Sequence, residues 1–443
     1  MTRLVPNAGF ELSGFPWLPL PEKVYFQEGP GILAKDFADS GVPLVRLSGL
    51  GGYEVTLNGC NFVAPEKGSG KWGHFRLKKG DILVSSSASF GRPAVVGDEA
   101  EGALFYTGLI RFIPKESDLD AGYLKAFLGS ELFMRQAEAM ASGSVIRHFG
   151  PTHLREMRIP VPPLPEQLAI AATLGALDDK IELNRRMNET LEAMARALFR
   201  DWFVDFGPTR AKIAGTAPTL SDNLWPLFPD HLDDDGKPEG WRSEPLLSHA
   251  RLISGGTPKT DTPTYWNGGI AWASAKDVSQ CGEAFLLETE RNISEAGLQN
   301  SATRMVPARS TVVVARGATT GRSCMFGIDM AMNQTCYALH SENALPFWLN
   351  LAFGALVDEL VHSAHGSVFD TITTRTLQTA SVTIPGAGLL MAFEKTVAPL
   401  FERVLSNISH SRTLAQTRDL LLPRLMSGEL RIAQAERTLE EVA

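Results

Sequence analysis

Between Leu164 and Phe206 apolar residues recur at alternating steps of three and four, the spacing of one stripe along an α-helix. The stepping puts Leu174, Leu177, Ile181, Asn184, Asn188, Leu191, Ala195, Leu198 and Trp202 on one seam, as in a coiled coil. A later stretch repeats it with Phe393, Val397, Leu400, Val404, Asn407, Ser411, Leu414, Arg418, Leu421 and Leu425. Both seams turn polar at their centres. The pattern predicts two helices of about 60 Å each, for roughly 40 residues, packed antiparallel. Aligning the polar centres sets Asn184 opposite Ser411 and Asn188 opposite Asn407, and it brings Trp202 beside Phe393 and Leu174 beside Leu421. Such polar seam positions cost stability but penalise every slipped register. The alternative is a pair of ordinary amphipathic core helices in separate domains, and their length argues against it.

The segments ahead of the two helices match in order. Residues 77–97, LKKGDILVSSSASFGRPAVVG, and 304–327, RMVPARSTVVVARGATTGRSCMFG, each read as turn, β-rich run, small-residue loop, Gly-Arg and a further strand. Gly91-Arg92 aligns with Gly321-Arg322. Further on, GSVIRHFGPTHLREMRIP (143–160) aligns with GSVFDTITTRTLQTASVTIP (366–385), both ending in Ile-Pro ahead of a helix. The expected class is α+β: two similar mixed α/β domains separated by two long antiparallel coiled-coil helices, with pseudo-twofold symmetry. The expected boundaries are 1–160 for the first domain, 161–206 for the first helix, 207–387 for a Pro/Gly/Asp-rich linker with the second domain, and 388–443 for the second helix and tail. A period this long indicates duplication of a domain, because solenoid repeats run about 20–50 residues.

Composition allows that reading. The 443 residues, 44% apolar and 21% charged, are enough for two cores of ordinary size. Cys60, Cys281, Cys324 and Cys336 lack metal-ligand spacing and read as reduced thiols. With no secretion signal and no long apolar run, the chain is expected to be cytoplasmic, without membrane contact.

PVPPLPEQLAIAATLGALDDKIELNRRMNETLEAMARALFRDWFVDF, GWRSEPL, GGTPKT, YWNGGIAWASAKDV, RGATTGR, MNQTCYAL and LLPRLMSGEL occur in that order over about residues 24–431. With these motifs the chain resembles the specificity subunit of type I restriction-modification systems. The resemblance implies two target-recognition domains, each reading one half of a bipartite target in double-stranded DNA. It implies helices that set the spacing and dock two modification (methyltransferase) subunits, with restriction (translocase and nuclease) subunits completing the complex. Cofactors then belong to the partners: S-adenosylmethionine to the methyltransferase, ATP and Mg to the restriction subunit, and none to this chain. Two features depart from the pattern. The second helix opens IPGAGLLMAFEK without the Pro-Pro-Leu-Pro-Glu-Gln lead, and the first domain lacks the Gly240-Trp241 opening, Trp17 being its nearest counterpart.

Charge changes the picture. Against 42 basic residues stand 50 acidic ones, a net of −8. DNA-binding proteins usually carry a basic footprint. Several acids, among them Asp230, Asp233, Asp234, Asp235 and Glu239, fall in the linker, which leaves the domains near neutral. Affinity for DNA is therefore expected to depend in part on partner subunits clamping the duplex.

Base readout calls for Arg, Asn, Gln, Ser or Thr on exposed loops. The candidates are Ser85, Ser86, Ser87, Ser89, Gly91, Arg92, Arg147 and His148 in the first domain. In the second they are Gly255, Gly256, Thr257, Lys259, Lys276, Arg316, Thr319, Thr320 and Arg322. The loop Gly255 to Thr260 is expected to offer backbone N–H groups to a phosphate, with a plain tight turn as the alternative. For Gly91-Arg92 and Gly321-Arg322 the structural alternative is a positive-φ glycine beside an arginine paired with a carboxylate.

Phe199, Trp202, Phe203 and Phe206 form an aromatic group too large for the seam, expected as a partner interface or as packing against the domains. No catalytic set stands out. Gly68-Ser-Gly-Lys71 lacks the rest of a phosphate loop, Asp230 with Asp235 and Lys237 sits in a linker without strands to aim a metal, and His362 and His365 lack a third ligand. The methyltransferase signature Asn/Asp-Pro-Pro-aromatic is also missing. The chain reads as non-catalytic by itself, and the competing reading is a protein scaffold without sequence-specific DNA binding.

Overall fold

A computed structural model describes residues 14–86, 93–140, 149–216, 220–363, 371–430 and 432. The chain divides into two compact units, Met1–Leu183 with Ser411–Ala443, and Asn184–His410. Two 40-residue helices, Leu164–Phe203 and Ala387–Met426, both cross that division. Each helical half shares a core with its unit instead of standing apart from it. In the first unit Ile170, Leu174, Leu177, Leu421 and Leu425 join Tyr123 and Phe127. In the second, Ala195, Trp202, Phe393 and Val397 join Trp348, Phe353 and Ile384.

The first unit contains β1 (Trp17–Pro19), β2 (Val24–Glu28), β3 (Phe37–Ala38), β4 (Val42–Val45), β5 (Asn61–Val63), β6 (Ile82–Ser85), β7 (Ala94–Val95), β8 (Leu104–Phe105), β9 (Leu109–Pro114) and β10 (Arg158–Pro160). They form sheets ordered β2-β9-β6-β7, β3-β5-β4-β8 and β1-β10. The second unit contains β11 (Arg242–Pro245), β12 (Ala250–Ser254), β13 (Trp266–Ala273), β14 (Phe285–Leu286), β15 (Arg291–Ile293), β16 (Met305–Val306), β17 (Thr311–Val314), β18 (Ser323–Phe326), β19 (Met330–Met332), β20 (Cys336–Ser341) and β21 (Ser381–Ile384). Their orders are β12-β20-β17-β18-β14, β15-β13-β19-β16 and β11-β21.

The duplication holds for most strands, with β3, β14 and β16 unmatched. β2-β9-β6-β7 matches β12-β20-β17-β18, and β5-β4-β8 matches β15-β13-β19. The sheets β3-β5-β4-β8 and β15-β13-β19-β16 each contain one parallel pair, Val45 beside Phe105 in β4/β8 and Ala273 beside Met332 in β13/β19. The continuous runs Ile82–Ser85 and Thr311–Val314 are buried along their whole length, as central strands of this kind require.

Both departures in the sequence resolve structurally. Trp17 opens the strand pair β1/β10 opposite Pro160, while Arg242, one residue past Trp241, faces Ile384 in β11/β21. Trp17 thus stands at the opening of β1/β10 as Trp241 stands at the opening of β11/β21. At the helix leads, buried Gln167 accepts the Asp120 N–H at 2.9 Å and donates to the Pro162 carbonyl at 2.8 Å, bracing the chain before helix Ala121–Leu128. In the second unit Glu394 does this work differently: its carboxylate accepts the Phe347 and Trp348 N–H groups at 3.1 and 2.8 Å, at the start of helix Pro346–Ser363. An anion is favoured at a helix N-terminus, so the Pro-Glu-Gln lead is not needed there.

Candidate nucleic-acid interface

The hairpin joining β17 to β18 ends in a tip over residues 315–322. Gly321 donates to Val314 at 3.0 Å and Val314 to Arg322 at 2.9 Å, which closes the strands. Gly317 and Gly321 take φ of 99° and 90°, so the reversal needs residues without a Cβ. Thr320 Oγ1 donates to the Gly317 carbonyl at 2.7 Å. Arg316, Thr319 and Arg322 are exposed on the tip. Among the described residues no carboxylate pairs with Arg316 or Arg322.

Neighbouring loops complete this end of the unit. Ala315 donates to Thr335 at 2.8 Å, which ties the tip to the turn between β19 and β20. The loop after β12 presses on that turn: a Cβ at Gly255 would collide with the Asn333 carbonyl, and one at Gly256 with the Thr303 amide. Thr257 hydrogen-bonds Gln334. The Gly256 N–H is committed to the Met332 carbonyl at 2.9 Å, and Trp272 Nε1 and Trp266 Nε1 each donate 3.0 Å to the carbonyls of Gly256 and Lys259. These glycines therefore serve close packing, and the Gly256 amide is not a free phosphate donor; the exposed side chains the loop offers are Lys259 and Thr260. Lys276 is exposed and paired with Glu290 at 2.6 Å.

The first unit builds the same end. Gly29 is pressed against the Tyr106 carbonyl as Gly255 is against Asn333. Ser86 N donates to Gly108 at 2.9 Å, and Phe149 N donates to Ser86 at 3.2 Å, just as Ile372 N donates to Ala315 at 2.8 Å. Ser85 and Ser86, expected to read bases, are instead 0% and 2% exposed. Ser85 ends β6 opposite Leu109 and Ser86 follows it, bonded to the Gly108 carbonyl, so both are framework. Ser87, Ser89, Gly91, Arg92, Arg147 and His148 lie outside the described residues.

Two arginines at this end escaped the sequence reading. Arg291 lies with its guanidinium carbon 3.5 Å from the centre of the Trp266 ring and 5.8 Å from that of Trp272, the two indoles standing edge to face at 5.2 Å. A bulge between Trp266 and Ile270 brings the two rings together. Arg46 lies 4.0 Å over Tyr106 and donates from Nη1 to Asn61 Oδ1 at 3.1 Å. The signal available in advance was the aromatic spacing of Tyr265-Trp266 and Trp272 around a bulge-forming Asn-Gly-Gly.

The long helices carry the other expected contacts. In the second unit Asn407 Nδ2 donates to Asn188 Oδ1 at 2.8 Å. Asn184, like Asn188 and Asn407, is buried. In the first unit the seam residue Arg418 is satisfied by Asp178 at 2.7 Å, and Lys125 approaches the same carboxylate at 3.2 Å. The aromatic group expected at a partner interface is internal. Phe199, Trp202 and Phe203 are buried at 8%, 0% and 5% exposure, and Phe206 is half-buried. Trp202 meets Phe393 and Phe228 at 5.3 and 5.1 Å, and Trp241 packs on Phe203 and Phe206 at 5.9 and 5.5 Å. Phe228 from the linker and Trp241 from the second domain cover rings that the helix alone would leave in water.

Comparison with known proteins agrees with this architecture. The family model described as type I restriction modification DNA specificity domain matches residues 26–193 and 238–387. The type I restriction enzyme HindI specificity subunit of Haemophilus influenzae is 28% identical over 405 residues, covering 80% of this chain and 87% of that protein. The MjaIX specificity subunit of Methanocaldococcus jannaschii is 25% identical over 411 residues, covering 91% and 90%. Among solved structures, the type I restriction-modification S subunit from M. genitalium shares the fold, with a TM-score of 0.52 at 16% identity over 93% of this chain and 96% of that one. With two matched copies that together span more than half its length, each centred on the same assembly of strands and loops, the chain belongs to the type I restriction modification DNA specificity domain family.

Proposed function

We propose that this chain is the DNA specificity subunit of a type I restriction-modification complex, each unit reading one half of a bipartite target in double-stranded DNA. The observation that carries the reading is the repetition of one end, built from a paired-strand framework, a turn and a glycine loop, in both units, while the segments that link its central strands differ in sequence. One framework with two sets of polar groups suits two half-sites of different sequence. The shared helices fix the gap between half-sites at roughly one duplex turn. Two modification subunits dock on the duplicated chain and methylate adenine with S-adenosylmethionine, and restriction subunits using ATP and Mg complete the assembly. This chain itself supplies recognition, and its near-neutral domains leave much of the backbone affinity to those partners.

Co-expression with the cognate methyltransferase, followed by mapping of methylated adenines across a host genome, tests the reading. The expected result is one bipartite motif with a constant gap, in which exchange of residues 1–160 alters one half only. A stable complex without such a motif would instead favour a protein scaffold.

A further inference from the structure

We propose that Arg46 and Arg291 are matched contacts to the DNA backbone, one in each unit, each held ready for a phosphate by stacking on aromatic rings. This rests on the reading of the chain as a DNA specificity subunit. Leu44 and Trp272 hold the same place in the parallel pairs, opposite Leu104 and Ala331. Their antiparallel partners are Asn61 and Arg291. In the second unit this partner position itself supplies the guanidinium, stacked on Trp266. In the first unit the position is Asn61, and Arg46 delivers the guanidinium from the end of β4, tethered to Asn61 and stacked on Tyr106. One corner of the duplicated fold thus holds a stacked guanidinium twice, supplied by different strands. Neither arginine is paired with a carboxylate among the described residues.

The corner adjoins the exposed end described above, since Tyr106 and Asn333 are the residues whose carbonyls exclude a side chain at Gly29 and Gly255. Stacking fixes the guanidinium plane and leaves N–H groups at its edge free, the geometry for two parallel bonds to phosphate oxygens. The segments that follow β6 and β17 differ in sequence, SSSASFGR against ARGATTGR. A group retained at one corner through different carriers suits what both half-sites share, the sugar-phosphate backbone.

The test uses the complete complex of this chain with its methyltransferase subunits, binding fluorescent duplexes with and without the mapped target over a salt series. Arg46→Gln and Arg291→Gln are each expected to weaken both duplexes by about tenfold. Each should also lower the salt slope by about 0.9 and leave the methylated motif unchanged. Arg291→Lys, which keeps the charge and loses the planar stack, should hold the slope and lose only part of the affinity. Variants that melt like the wild type and bind like it would overturn the assignment, as would a loss confined to one base pair of the target. A wild-type complex with no bipartite motif would instead overturn the functional reading, so the two failures are distinguishable.

Discussion

The Asn407 side-chain amide donates to the Asn188 carbonyl oxygen across the helix pair at 2.8 Å, with both residues 5% exposed. Neither group can turn to water if its partner is lost. Asn188→Leu is therefore expected to destabilise the chain by about 1–3 kcal/mol through the stranded Asn407 amide. The double variant Asn188→Leu with Asn407→Leu should recover most of that loss, because an apolar pair leaves nothing unsatisfied. Urea unfolding of the two singles and the double checks this; additive losses would mean that the bond contributes nothing specific.

Trp202 is fully buried among Phe393, Phe228 and Phe203, yet its Nε1 has no hydrogen-bond partner among the described residues. Its value is apolar packing and its unpaired indole N–H is a cost. Trp202→Ala should destabilise by about 3–5 kcal/mol. Trp202→Phe, which keeps a ring and removes the orphan donor, should cost less than about 1.5 kcal/mol and leave methyltransferase binding intact. Guanidinium midpoints and co-purification provide the readout. A Trp202→Phe variant that folds but no longer holds the methyltransferase would return this cluster to the partner interface.

Glu394 gives the second unit a pH-dependent contribution. Burial raises its pKa above the usual carboxylate value, while the Trp348 and Phe347 amides pull it the other way with less effect. Just above the ordinary carboxylate range the folded state then holds more protons than the unfolded one. Stability falls as pH rises through that window. Subtracting the unfolding free energy of Glu394→Gln from that of the wild type at each pH isolates this group. The difference should decline as pH rises through the window and flatten above it; a rise instead would show that the amides dominate.

The sequence disclosed what depends on periodicity and order. Asn188 and Asn407 could be paired by counting, since a seam position is fixed by steps of three and four. The two units could be matched because Gly91-Arg92 and Gly321-Arg322 stand at the same place in similar runs. Packing between distant segments stayed hidden. Nothing local tells that Phe228 and Trp241 cover Trp202 and Phe206, and the run of serines at 85–89 looks like a loop although Ser85 ends a buried strand beside Leu109 and Ser86 follows it, buried as well. Arg291 acquires its setting only when a bulge folds Trp266 back beside Trp272. Gly255 and Gly256 have the composition of an anion loop, but the carbonyl and amide pressed against them come from residues far along the chain.

At the hairpin tip, Arg316 and Arg322 stand exposed on either side of Thr319 and Thr320, on a backbone held by its own hydrogen bonds. Removing either guanidinium should leave the fold untouched, because the tip depends on Gly317, Gly321 and main-chain contacts. A bidentate arginine–guanine contact discriminates by about 1–3 kcal/mol, so its loss relaxes one position about 5–150-fold. Arg316→Gln and Arg322→Gln are each expected to broaden the methylated motif at one position, confined to the half read by the second unit, while the gap and the other half stay unchanged. Genome-wide methylation maps of the two variants decide this. If both reproduce the wild-type motif, the tip does not read bases, and readout in this unit must come from the glycine-loop side, where Thr257 and Lys259 are the polar groups at hand.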